Sequence, residues 1–285
     1  MAIIISVSPI AFLGIRWYGI MVALGVATVV VWAIWQSKKS RLYTADDALT
    51  AAIVGIPSGI IFSKLLHVID NIVVAKFHPE LVLSGAVIDY TQHPGLIFNG
   101  EGLTIEGAVL GAALGIWLYS RFNRGFRYAT FVDAIAPAII LAQAIGRVGC
   151  LLNGCCYGIE TSLPWAVCYT NPESFAVLNV PVHPTQAYEI IYNLIAFGIL
   201  MSLRGKLRPP GSLFMVYLSL YAVWRIGIDF IRDGNPFLFS LHNAQVVGII
   251  ILLVTVPLMI ARTRFVKKDN QSPEQTTGDQ MRVQE

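Results

Sequence analysis

Charged side chains stand inside apolar stretches of this chain, where water cannot solvate them: Arg16, Lys64, Glu106, Asp133, Arg147, Glu189, Arg225 and Asp229. An unpaired charge in hydrocarbon costs at least a few kcal/mol, so each needs a partner, a water-filled recess or a ligand. Arg147 closes the long run DAIAPAIILAQAIGR, and Arg225, Asp229 and Arg232 follow at i, i+4 and i+7, on one face of a helix. A guanidinium stays charged at any physiological pH and offers a planar fork of N–H donors, the geometry that clamps a phosphate. Two arginines with few matching carboxylates suit the phosphate of a membrane phospholipid; an internal Arg225–Asp229 ion pair is the other use open to the second. A carboxylate in apolar surroundings can take up a proton at neutral pH, so Glu106 reads either as a general base or as an ion-pair partner of Arg147 or Arg225.

In HPTQAYE, His183, Gln186 and Glu189 recur every three residues at the start of another apolar run, with Pro184 suited to a first helical turn. They read as polar support around the arginines. Arg16 and Asp133 lie near segment ends, where a side chain can snorkel to water. The four cysteines, Cys150, Cys155, Cys156 and Cys168, are too few for a disulfide scaffold, and C-x4-CC-x11-C is not a recognised zinc pattern. No metal and no cofactor is expected.

The elements that must hold these groups follow from composition. Of the 285 residues, 55% are apolar and 13% charged, and the mean hydropathy is +0.65, outside the range of soluble globular domains. An apolar helix of roughly 20 residues crosses the hydrocarbon. Seven segments qualify, at about 13–36, 46–69, 100–119, 128–151, 185–203, 211–230 and 243–261. The expected fold is therefore all-α, a polytopic membrane protein of seven transmembrane helices over residues 1–265. The first segment lacks a basic leader and a small-x-small cleavage site and reads as a retained helix. There is no internal repeat.

Connections after the first, third, fifth and seventh segments carry KKSR, RFNRGFR, RGKLR and RTRFVKK, thirteen of the 20 Lys and Arg residues, whereas the opposite connections carry Lys76 and Arg232. The positive-inside rule then puts the N-terminus outside and the C-terminus in the cytoplasm. Outer connections at about 70–99 and 152–182 are long enough for structure of their own, the second for a small extracytoplasmic cap. The tail 266–285 is polar, without periodicity, and expected to be disordered. In this topology Tyr18 of RWYG, Glu106, Arg147 and Arg225 fall at one depth, beneath the outer surface.

RWYG, EGLTIEG-x3-G, DAIAPAIILAQAIGRVGCLLNGCCYG, HPTQAYE and YAVWRIGIDFIRDGN, followed by Gln245, occur in that order at suitable spacing. Together, over about residues 12–262, the chain resembles the prolipoprotein diacylglyceryl transferases of bacterial inner membranes. The resemblance implies transfer of the diacylglyceryl group of phosphatidylglycerol to the lipobox cysteine thiol of preprolipoproteins, with glycerol phosphate released; it implies no nucleic-acid partner. Carried over by position, Arg147 and Arg225 are the arginines expected to hold the leaving phosphate, Tyr18 is the tyrosine of the WYG motif, and Asn153 and Gly154 are the NG pair. Asp229, Arg232, His183, Gln186 and Glu189 join the expected substrate-binding set. The chain departs from the family pattern where HGG becomes EGA, so that Glu106 replaces the histidine proposed as base, and where Cys150 and Cys155 replace an asparagine and a glutamate. In an oxidising compartment Cys155 or Cys156 can pair with Cys150 or Cys168; packing as small apolar side chains is the alternative.

Two other functions compete. A related enzyme would use the same lipid-phosphate pocket with another acceptor, and a non-enzymatic lipid-binding or transport protein would merely hold the headgroup. A transporter is expected to show matching halves with broken helices, which this sequence lacks.

Overall fold

Each of the seven apolar segments becomes a helix in the computed structural model, which describes residues 2–40, 42–77, 79–83, 87–98, 102, 104–232 and 241–265. These are α1 (Trp17–Ser40), α2 (Ala45–Phe77), α4 (Ile105–Phe122), α5 (Tyr128–Asn153), α6 (Thr185–Leu203), α7 (Ser212–Ile228) and α8 (Asn243–Arg262); a five-residue α3 (Pro79–Leu83) follows α2. Five of them, α1, α2, α5, α6 and α8, are long and apolar enough to cross a membrane, while α7 and the described part of α4 are shorter. Their outer faces leave large apolar side chains uncovered, among them Ile53, Ile60 and Ile61 on α2 and Leu253 and Ile260 on α8. A water-soluble surface does not carry continuous apolar faces of this kind, so the chain is a membrane protein.

The helices pair along the chain as α1 with α5, α2 with α4, α5 with α6 and α7 with α8. Small residues set the closeness of α2 and α4: a Cβ on Gly111 would collide with Phe62 Cβ and the Ser58 carbonyl, and one on Gly115 with Ser58 Oγ. Helices in lipid gain from such backbone approach because no hydrophobic effect drives them together. The α1/α5 contact repeats the device at Gly149, whose Cβ would stand 3.1 Å from Tyr18 Cα.

Short strands organise the two ends. β1 (Ile3–Ile5) lies parallel to β4 (Val167–Tyr169), with Ile3 opposite Val167, and β4 runs antiparallel to β5 (Pro181–Val182). Val167, Tyr169, Ala176 and Val182 form a small core there. Between β1 and α1, β2 (Ile10–Phe12) and β3 (Ile15–Arg16) form a hairpin. At the opposite end, β6 (Leu207–Arg208) pairs with β7 (Arg264–Phe265), joining two of the basic connections.

Some expectations needed correction. The connection assigned from about residue 70 begins later, because the apolar run NIVVAKF keeps α2 helical to Phe77. The segment assigned from about 100 becomes helical at Ile105. Asp133 does not snorkel: its carboxylate accepts the amides of Gly211 at 2.7 Å and Phe214 at 2.8 Å, satisfying donors that the first turn of α7 leaves unpaired. The tail 266–285 lies outside the described residues.

Candidate active site

Arg147 stands in the last two turns of α5 and is almost buried. Its Nε lies 2.8 Å from Glu189 Oε1 on α6, and its Nη1 donates to Cys150 Sγ at 3.7 Å. Glu189 is itself buried, so the pair satisfies both charges and fixes the plane of the guanidinium. Among the described residues, the carboxylate that pairs with Arg147 is on α6. The side chain of Glu106, at the start of α4, lies outside the described residues.

Arg225 is held differently. It is 8% exposed, and its Nη1 lies 3.4 Å from Asp229 Oδ1, which also meets Arg232 Nη1 at 3.8 Å. Neither Arg225 Nε nor Arg225 Nη1 has a hydrogen-bond partner among the described residues. One carboxylate thus serves two guanidinium groups, and the cluster of Arg225, Asp229 and Arg232 keeps an excess positive charge. Buried donors without acceptors are costly unless a ligand supplies the acceptors.

Between the two arginine sites runs the segment after α5. Gly154 ends α5 in the left-handed conformation at φ 71°, and a Cβ there would strike Ser174 Oγ. Cys156 is also left-handed, at φ 63°, a conformation in which a side chain other than glycine is strained. The reversal is held from α6, whose first residues bind the turn's carbonyls: Thr185 Oγ1 donates to Cys156 O at 2.6 Å and Gln186 Nε2 to Cys155 O at 2.7 Å. Tyr169 Oη on β4 donates to Leu151 O at 3.1 Å, bracing the end of α5 from the sheet. The sulfurs of Cys150, Cys155 and Cys156 lie within 4.8 Å of one another, whereas Cys168 stands outside this group on β4. Hydrogen bonds from Cys150 and then Cys155 hold the Cys156 thiol well below the usual thiol range, with Arg147 and Arg232 adding to the effect. Cys156 therefore lies within electrostatic reach of both arginine groups.

The remaining expected residues take supporting places. Asn153 is buried; its Oδ1 accepts Arg16 Nη1 at 3.0 Å and its Nδ2 donates to Cys155 Sγ at 3.7 Å. Arg16 also lies over the Phe175 ring at 4.2 Å. Tyr18, on the first turn of α1, is within electrostatic reach of Arg147 and the three cysteines. His183 does not share the α6 face with Gln186 and Glu189; it precedes the helix, where its carbonyl accepts Gly158 N at 2.9 Å and its Nδ1 lies 3.3 Å from Tyr188 Oη. Lys64 lies over the Tyr90 ring at 5.5 Å. Thr185, Tyr169 and Ser174 escaped the sequence reading. Thr185 carried a usable signal, a hydroxyl residue after proline at a helix start.

An apolar recess opens beside this site between α6 and α7, about 520 Å³, lined by residues including Tyr188, Tyr192, Trp224 and Ile231. Two of its lining residues, Ile228 and Ile231, adjoin Asp229 and Arg232 in the chain.

Buried cations at one end of a bundle of membrane-crossing helices, with an apolar recess alongside, give a membrane protein whose candidate site suits an anionic amphiphile. Residues 4–261 match the prolipoprotein diacylglyceryl transferase family. The chain is 48% identical over 268 residues, 93% of its length and 97% of the relative's, to a phosphatidylglycerol--prolipoprotein diacylglyceryl transferase of Dehalococcoides mccartyi. A protein of the same name from Clostridium tetani is 34% identical over 84% of this chain and 90% of its own, and one from Corynebacterium efficiens is 34% identical over 86% and 76%. The chain belongs to the prolipoprotein diacylglyceryl transferase family.

Proposed function

We propose that this protein transfers the diacylglyceryl group of phosphatidylglycerol to the lipobox cysteine thiol of preprolipoproteins, the first step of lipoprotein maturation. The observation that carries this reading is Arg225, a buried guanidinium with two nitrogens that make no hydrogen bond among the described residues, in a chain whose relatives bear that activity in their names. The acceptor sulfur attacks the glyceryl carbon; the carbon–oxygen bond to phosphate breaks, and its electron pair leaves on the phosphate oxygen. Negative charge grows on that phosphate as the bond breaks, and cations fixed beforehand stabilise it more in the transition state than in the bound lipid. Arg147, aimed by Glu189, and Arg225 are assigned this work, with Arg232 adding to the field. Tyr18, Asn153, Gly154, Asp229, His183, Gln186 and Glu189 complete the substrate-binding region, with Glu106 as the proton acceptor for the thiol.

The protein resides in the bacterial cytoplasmic membrane with seven spans, α4 and α7 included, the N-terminus outside and the C-terminus in the cytoplasm. Two observations support this sidedness. The sheet β1–β4–β5 gathers the N-terminal residues and the 152–182 connection at one end, where the cap is proposed, and β6–β7 gathers basic connections at the other.

The test incubates purified protein with phosphatidylglycerol and a lipobox peptide and measures thioether product and glycerol phosphate. Both are expected in equal amounts. Absence of product under conditions where a relative works refutes the assignment, and full activity in Glu106→Gln removes the base role.

A further inference from the structure

The three clustered sulfurs have no role in the transfer described above. Cys150 is 3% exposed, and Cys155 and Cys156 are half-buried, so the group is closed on the protein side and accessible on the other. The sulfurs come together through left-handed backbone at Gly154 and Cys156, with strain held at a residue that is not glycine.

Around a tetrahedral ion at a metal–sulfur distance of 2.3 Å, thiolates stand about 3.8 Å apart. Sulfurs within 4.8 Å of one another reach that spacing by small side-chain rotations. Their surroundings are those of ligating thiolates: Arg147 Nη1 and Asn153 Nδ2 donate to Cys150 and Cys155 at 3.7 Å each, and Thr185 and Gln186 hold the turn by its carbonyls. Hydrogen bonds of this kind orient ligands and tune the ion. Three thiolates and a divalent ion carry one negative charge, which Arg147 and Arg232 face. Three ligands leave the fourth corner of the tetrahedron open, the arrangement of zinc sites that act on a bound group.

We infer that Cys150, Cys155 and Cys156 bind one zinc-class divalent cation whose open position takes the acceptor thiol of the transfer reaction. This inference rests on the transferase reading. Metal binding releases three thiol protons to solvent, and the acceptor thiol passes its own to Glu106, its assigned proton acceptor, on joining as the fourth ligand, since a coordinated thiol is held as thiolate. The thiolate then attacks the glyceryl carbon beside Arg147. The resulting thioether is neutral, a weaker ligand, and leaves the ion.

Reduced full-length protein in detergent is titrated with Co2+ and followed by its thiolate-to-cobalt absorption. The band is expected to saturate at one ion per chain, to vanish in Cys155→Ser and Cys156→Ser, to persist in Cys168→Ser, and to intensify with a lipobox peptide but not with its serine analogue. Three results overturn the inference: no band at one equivalent, a band unchanged in both cluster variants, or a disulfide within the trio in protein that binds no cobalt. Chelator-treated protein that still makes thioether at full rate also overturns it while leaving the transferase standing. Cobalt binding without any thioether product in the zinc-loaded protein sinks the transferase reading instead.

Discussion

Arg147 and Arg225 are both buried, both near helix ends and both assigned to one phosphate, yet the fold treats them in opposite ways. Arg147 has a carboxylate to itself at 2.8 Å, contributed by a neighbouring helix. Arg225 shares Asp229, four residues along its own chain, with Arg232, and two of its nitrogens make no hydrogen bond among the described residues. The first is a cation whose orientation is set before any ligand arrives. The second is a cation whose hydrogen bonding is left for the ligand to complete. The difference predicts that Arg147 serves structure and catalysis together, whereas Arg225 serves catalysis almost alone.

The widest separation should come from Arg147→Ala. It removes the phosphate contact and strands Glu189 in the bundle, which costs about 3–5 kcal/mol of stability. Thermal unfolding in detergent should shift markedly downward and thioether formation should cease; an unchanged melting temperature would break the contrast at its root. Next in size, Arg225→Ala should lower turnover by about 100- to 1,000-fold, the cost of removing one preorganised donor from a developing anion. Its stability should hold because Asp229 retains Arg232, so a melting shift matching that of Arg147→Ala would erase the distinction. Glu189→Gln keeps a hydrogen bond to Arg147 but loses its charge, costing about 2 kcal/mol, or roughly 30-fold in turnover if the loss falls on the transition state. The smallest effect belongs to Asp133→Ala. Uncapping α7 should cost about 1–2 kcal/mol in a melting experiment and leave turnover unchanged, because this carboxylate faces the other end of the helix from Arg225.

How much of this could be read from the residues varied with the distance over which the information had to act. The seven helices were legible because each needs a long apolar run and the basic connections punctuate them. The two arginines were legible because a charge in such a run has few harmless explanations. The Arg147–Glu189 pair was not, since only the packing of α6 against α5 brings the two side chains together. Asp133 looked like a group reaching for water, and only the arrival of α7 at its side turns it into a cap. The cysteines carried no metal signature because their spacing becomes a cluster only through left-handed turns at Gly154 and Cys156. The sheet was the least visible, for strands of two or three residues are too short to show alternation.

That sheet sets an order of assembly. Ile3–Ile5 is made before its partner Val167–Tyr169, which follows only after α5 is complete. Closing so long a loop is slow compared with forming the helices between. The opening strand must therefore wait unpaired while four long helices are laid down, and its docking completes the sheet that braces the cysteine turn. A bulky fusion ahead of Ile3 should consequently harm maturation of the active end more than the same fusion at the C-terminus.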